Sequence, residues 1–94
     1  MSIEARLAEL GVILPDAPAP AANYVPWVRS GNLLFVSGQI AANADGFITG
    51  KLGENMTAED GAIAAKACAI SLLAQLKAGC DGDIERLVRV VKLV

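Results

Sequence analysis

The sequence contains no histidine, and this absence narrows its chemistry more than any other. Histidine is the usual side chain for proton transfer near neutral pH, so Ser-His-Asp and Cys-His nucleophilic machinery is excluded within the chain. Cysteine is scarce. Cys68 and Cys80 are too few for a disulfide scaffold and lack CxxC spacing, so they are expected as a small buried hydrophobe and a loop thiol. Positive charge is thin as well. Eight Lys and Arg lie scattered from Arg6 to Lys92, the formal net charge is −2, and the pI is near 4.9. A nucleic-acid binder usually presents a positive stripe to phosphates, and none is visible. No Cys and carboxylate cluster has metal-ligand spacing. Gly46, Gly50 and Gly53 make no phosphate-binding fingerprint, and the helix after them opens with Glu59 and Asp60, which repel phosphate. Neither a metal nor a cofactor is expected.

The N-terminus, Met1-Ser2-Ile3-Glu4-Ala5-Arg6, has no basic region followed by an apolar run, so no signal peptide is expected. No apolar stretch is expected to approach the roughly 20 residues that span a bilayer. The default location is therefore the cytoplasm.

What is abundant is apolar surface. Of 94 residues, 54% are apolar, and mean hydropathy is positive. A single small domain has too large a surface to hide that much, so an oligomer or additional chain is expected to cover the rest. Much of the apolar content is alanine, which contributes little burial energy per residue. Only four aromatics, Tyr24, Trp27, Phe35 and Phe47, are available as packing or pocket anchors.

Ser2 to Leu10 reads as a short helix, capped by Ser2, apolar at Ile3, Leu7 and Leu10, and stopped by Gly11. The segment Pro15-Asp16-Ala17-Pro18-Ala19-Pro20 is a stiff connector with few backbone donors. Residues 24–29 and 33–40 read as two strands joined by Ser30-Gly31-Asn32. Pro26 places the first at an edge or a bulge. The second is apolar on both faces, with Leu33 and Phe35 on one and Leu34 and Val36 on the other, the pattern of a strand covered on two sides. A polar, glycine-rich loop follows at 41–56, with Asp45-Gly46 as its tight turn.

The principal helix is expected over Thr57 to Ala78, opened by a Thr57/Asp60 capping box and closed by Lys77 and Gly79. Ala58, Ala62, Ala65, Ala69, Leu72 and Leu76 form a narrow face suited to lying close on a sheet. Ile63, Ala67, Ile70 and Ala74 form a second apolar strip, and a helix that only covers a sheet needs one. After a turn at 80–83, residues Ile84 to Val94 are rich in β-branched side chains and read as a third strand. Three strands and one long helix make an α+β domain that leaves a sheet face and a helix side open.

Two features stand out as chemistry. Ser37-Gly38-Gln39 interrupts a run of Leu, Phe and Val. The glycine suits either a bulge or the close approach of a ligand or backbone. Tyr24, just after the proline connector, offers a phenol donor from a mostly apolar wall, or else a packing ring.

The succession of proline connector, Tyr24, hairpin, Leu33-Leu34-Phe35-Val36-Ser37-Gly38-Gln39-Ile40, glycine-rich loop, long helix and Gly82-Asp83-Ile84 resembles the RidA family, also called YjgF or L-PSP, over residues 20 to 94. Residues 1–19, with Leu10-Gly11-Val12-Ile13-Leu14-Pro15, resemble a subgroup with an extension before the domain. The resemblance implies a chorismate-mutase-like α+β fold, with helices on one face of a mixed sheet, and a homotrimer with ligand pockets between subunits. It implies hydrolysis of enamine and imine intermediates such as 2-aminoacrylate to 2-oxo acids and ammonia. A non-catalytic metabolite-binding or regulatory trimer is the alternative, and an endoribonuclease or translation inhibitor is the less favoured one. By position, Tyr24, Ser37 and Gly38 match the family's ligand-binding residues. The family's carboxylate-clamping arginine and water-activating acid belong to a C-terminal half that this sequence does not include. Arg29, Arg86 and Arg89 do not stand at the arginine's position, so no catalytic residue is assigned. Partner subunits or a second polypeptide are expected to complete the domain, around a small carboxylate or imine ligand, with neither membrane nor nucleic acid as a partner.

Overall fold

A computed structural model describes residues 2–20 and 22–94; Met1, the first residue of the N-terminal hexapeptide read above, and Ala21 lie outside the described residues. Helix α1 runs Ile3–Glu9 with Ser2 as its N-cap, whose side chain accepts from the Ala5 N–H. Gly11 follows at φ +70°, the left-handed conformation that ends helices with least strain in glycine. Strands β1 (Trp27–Ser30) and β2 (Leu33–Val36) form an antiparallel hairpin that pairs Trp27 with Val36 and Ser30 with Leu33. Gly31 takes φ +59° in its turn. A second, minimal hairpin joins β3 (Ala42–Asn43) to β4 (Gly46–Phe47). Its turn is fixed by Asn43 Oδ1 accepting from the Asp45 N–H and by Gly46 at φ +119°.

Helix α2 runs Ala58–Gly79 from a complete capping box between Thr57 and Asp60. The Asp60 carboxyl is held below its ordinary value by hydrogen bonds from the Thr57 backbone and then its side chain. A 3-10 turn at Ile84–Arg86 follows, capped by Asp83. It packs on both α1 and α2, and Ile84 at its start is fully buried. The Glu85 carboxylate accepts from the Glu4 and Ile3 N–H groups, each at 2.8 Å. Those bonds, Glu4 first, lower its pKa. Lys77 reaches Glu4 at 3.2 Å, so the N-terminal helix is docked onto the end of α2.

Three expectations are corrected. Residues 87–94 form no strand. A β-branched sequence favours a pleated surface, but a strand exists only where a neighbour completes its hydrogen bonds, and the described chain supplies none. Val88, Val90, Val91, Leu93 and Val94 are exposed instead. Second, the alanine face of α2 does not meet the sheet, since Ala58, Ala62, Ala65 and Ala69 are exposed. Close approach is made about a quarter-turn away, through Gly79 against the hairpin and Gly61 against the loop residue Leu52. A Cβ on Gly79 would stand 2.6 Å from Leu34 Cδ2, and one on Gly61 would stand 2.7 Å from Leu52 Cδ2. Third, α2 is long and apolar enough, by length and composition alone, to cross a membrane. Alanine sustains its hydropathy across Lys66 and Gln75, which break any continuous apolar run.

Among the described residues the hairpin is covered on one face, where the two-sided apolar pattern leads one to expect two. Leu34 and Val36 are half-buried on the α2 side, whereas Leu33, Phe35 and Val28 on the other face are exposed. The apolar core among the described residues is Leu7, Ala74 and Ile84. The accessible surface is 7057 Å², against about 5,100 Å² for a compact protein of this mass. The radius of gyration is 14.3 Å, against about 12 Å for a compact domain of this length.

Candidate functional site

The hairpin end opposite its turn gathers the residues that the sequence singles out. The ladder runs one rung past β2, where the Ser37 N–H donates to the Pro26 carbonyl at 3.0 Å and Ser37 Oγ donates to the same oxygen at 3.1 Å. Pro26 has no N–H to return, so pairing stops there. Both strands are therefore shorter than expected. The first begins at Trp27 and not Tyr24, and the second ends at Val36 and not Ile40.

Beyond Ser37 the chain satisfies its own carbonyls. Gln39 Nε2 donates to the Ser37 and Gly38 oxygens at 3.0 and 3.2 Å. The Gln39 carbonyl in turn accepts from Cys68 Sγ of α2 at 3.6 Å. The Ser-Gly-Gln segment is thus a short curl fastened to α2. Gly38 sits on its exposed side, and a Cβ there would meet nothing within 4 Å. Its φ lies outside the left-handed range, so the backbone itself makes no demand for glycine. What the glycine leaves is open, approachable surface.

Tyr24 lies two residues before Pro26, in the bend that leads into β1, and is partly exposed. Its N–H donates to the Ala22 carbonyl at 2.9 Å. Ser37 and Gly38 are thus joined to the segment that carries Tyr24 through the Ser37–Pro26 bonds. Two shallow concavities, one lined by Ser2, Ile3, Arg6 and Leu7 and one by residues 52–58, include none of the three.

Arg29 and Arg86 are engaged elsewhere. Both reach Asp81 Oδ2, at 3.0 and 2.9 Å, and Arg29 also donates to the Gly79 carbonyl at 3.3 Å. Arg29 first, then Arg86, holds the Asp81 carboxyl below its ordinary value. This cluster fastens β1 to the end of α2, near the hairpin turn. Among the described residues no group of three or more Cys, Asp or Glu side chains is placed to hold a metal.

Gln75 escaped the sequence reading. It lies on the buried face of α2, 1% exposed, and its Nε2 donates to the Pro18 carbonyl at 2.8 Å and to Gln39 Oε1 at 3.4 Å. The signal was a lone amide inside the apolar stretch Ala67 to Leu76, two turns of helix after Cys68. The amide is held by its nitrogen, and its Oε1 is buried without a hydrogen-bond partner among the described residues.

Against this geometry, the family model for Endoribonuclease L-PSP matches residues 14–93. The chain belongs to that family. Protein TCP17 of Trypanosoma cruzi is 48% identical over 92 residues, a match spanning 97% of this chain and 57% of the relative. A crystal structure of a protein of unknown function from Agrobacterium tumefaciens is 44% identical with a TM-score of 0.74, covering 89% of this chain and 51% of that one. A putative endoribonuclease from Shewanella oneidensis is 32% identical with a TM-score of 0.78, covering 86% of this chain and 54% of that one. The chain therefore spans about half the length of the relatives it matches. The L-PSP fold and its α+β class follow from these similarities.

Proposed function

We propose that the complete protein is a RidA-type enamine and imine deaminase, with Tyr24, Ser37 and Gly38 lining a pocket for a small carboxylate-bearing imine. The observation that carries this reading is the fastened Ser37-Gly38 curl with open space over Gly38, in a chain that belongs to the L-PSP family. In the proposed reaction an enamine first tautomerises to its imine. Water adds to the C=N carbon to give a carbinolamine, whose C–N bond breaks. Ammonia leaves, and a 2-oxo acid remains. The Tyr24 phenol and the backbone at Ser37 and Gly38 would orient the substrate. The clamping arginine, bidentate on the carboxylate, and the acid that directs water would come from the C-terminal part of the domain. Arg29 and Arg86, bound to Asp81, serve the fold instead.

The assembly proposed is a homotrimer, with the exposed faces of the hairpin and of α2 covered by partner subunits and by the rest of the domain. The surplus of accessible surface, roughly 1,900 Å² over a compact protein of this mass, is about that of two ordinary interface halves. In that setting α2 is a core helix, residues 1–19 are an extension before the domain, and the protein is cytoplasmic.

The test is ammonia release from freshly generated 2-aminoacrylate by the purified protein. Acceleration over the uncatalysed rate is expected. Its absence, with retained binding of 2-oxo acids, would favour a metabolite-binding or regulatory trimer. The Shewanella neighbour's description as a putative endoribonuclease motivates an RNA arm. The net charge of −2 and the absence of histidine predict no salt-sensitive affinity for single-stranded RNA.

A further inference from the structure

We infer that Gln75 is a positioning residue for the Ser37-Gly38 surface and couples that surface to the N-terminal connector. Its amide nitrogen faces two acceptors, the Pro18 carbonyl at 2.8 Å and Gln39 Oε1 at 3.4 Å. Because both partners accept, the nitrogen and not the oxygen must point at them. The orientation fixes the next link. With its Oε1 turned to Gln75, Gln39 aims its own Nε2 at the Ser37 and Gly38 carbonyls, 3.0 and 3.2 Å away. Two side-chain amides thus relay from the connector to the curl. Cys68 on the same helix face holds the Gln39 carbonyl at 3.6 Å.

The relay is shielded at Gln75 and open to solvent at Gly38. Gln75 is 1% exposed, and hydrogen bonds out of water are stronger and more directional than on a surface. Gly38 has no side chain to hold it and nothing within 4 Å of its Cβ direction. Its position is therefore set from beneath, by Gln39 and through it by Gln75. Residues 15–20, which a bare spacer would leave unbound to the domain, are instead tied by Pro18 to the helix that supports the curl.

The inference rests on the proposed pocket only for its ligand arm. In the ¹⁵N-labelled full-length protein, Gln75→Met keeps side-chain length and removes both amide groups. It should move the amide resonances of Ser37, Gly38, Gln39 and Ala19, leaving those of residues 58–62 in place. Ile84→Val serves as the control, because it weakens the core without touching the relay. Unmoved Ser37 and Gly38 resonances in Gln75→Met, or equal movement in Ile84→Val, would overturn the inference. Should Gln75→Met fail to fold, Gln39→Met attacks the relay from its half-buried side. It should shift the Gln75 side-chain NH₂ signal together with Ser37 and Gly38, and an unshifted NH₂ signal would overturn the inference equally.

Pyruvate is the probe for the ligand arm. Its apparent affinity should fall several-fold in Gln75→Met while Ile84→Val binds as the parent does. Equal affinity in Gln75→Met and parent would refute the positioning role. If pyruvate binds none of the proteins, the proposed ligand class fails, and the ligand-free spectra alone decide the relay.

Discussion

Truncating Ile84 to alanine should lower the melting temperature of the protein by about 8–24 °C. Ile84 is fully buried where the 3-10 turn meets α1 and α2, and the other buried apolar residues described are only Leu7 and Ala74. Replacing a buried isoleucine with alanine costs about 2–5 kcal/mol, the spread reflecting how far the site collapses onto the cavity. Here α1 is a short helix held mainly by Glu85 and Lys77. It can settle partway inward, which places the cost near 2–3 kcal/mol. In a domain of this length each kcal/mol shifts the midpoint by about 4–8 °C. Ile84→Val, with a cost of about 1 kcal/mol, should give roughly a third to a half of the alanine effect. Thermal unfolding followed by far-ultraviolet circular dichroism reads both. A drop below about 4 °C for Ile84→Ala would show that this junction is not the shielded core, and the reasoning from burial would fail.

Gly79→Ala should destabilise by about 1–3 kcal/mol, the usual cost of overpacking, because its new methyl would stand 2.6 Å from Leu34 Cδ2. Leu34→Ala in the same protein should recover part of that loss, and a urea-denaturation double-mutant cycle measures the coupling. Acid should weaken the fold through Asp81, Glu85 and Asp60, all lowered from ordinary values of 3.8, 4.5 and 3.8. A depressed folded pKa contributes stability that is present above the ordinary value and lost as pH falls through the folded one. The urea midpoint should therefore be flat from neutral pH down to about 5.5 and decline below 4.5, with a shallower decline in Asp81→Asn. A midpoint that rises on acidification would contradict the sign.

The parts of the fold legible in the sequence were those fixed by local chemistry. Thr57 and Asp60 marked the start of α2, Ser2 and Gly11 bounded α1, and the Ser30-Gly31-Asn32 turn placed the hairpin. The parts that depended on distant neighbours were not legible. Residues 87–94 carry strand-forming side chains, yet no ladder receives them. The alanine stripe on α2 looked like the close-packing face, but bare backbone at Gly61 and Gly79 approaches more closely than alanine can. At the candidate site, Ser37 and Gly38 were visible because they break an apolar strand. Gln75 was not, because its partners Pro18 and Gln39 lie 57 and 36 residues away in sequence. Composition did foretell the open surface, since alanine-rich apolar content cannot close a core of this size.

The surface over Gly38 is the proposed seat of the substrate, and Gly38→Val probes that placement. Gly38 has an ordinary φ and nothing within 4 Å of its Cβ direction, so the fold accepts the larger side chain while the ligand does not. The melting temperature should stay within about 4 °C of the parent, since exposed substitutions stay within about 0.5 kcal/mol. Hydrolysis of 2-aminoacrylate should fall at least tenfold, a barrier increase of about 1.4 kcal/mol. A folded Gly38→Val protein that hydrolyses 2-aminoacrylate at the parental rate would contradict the placement.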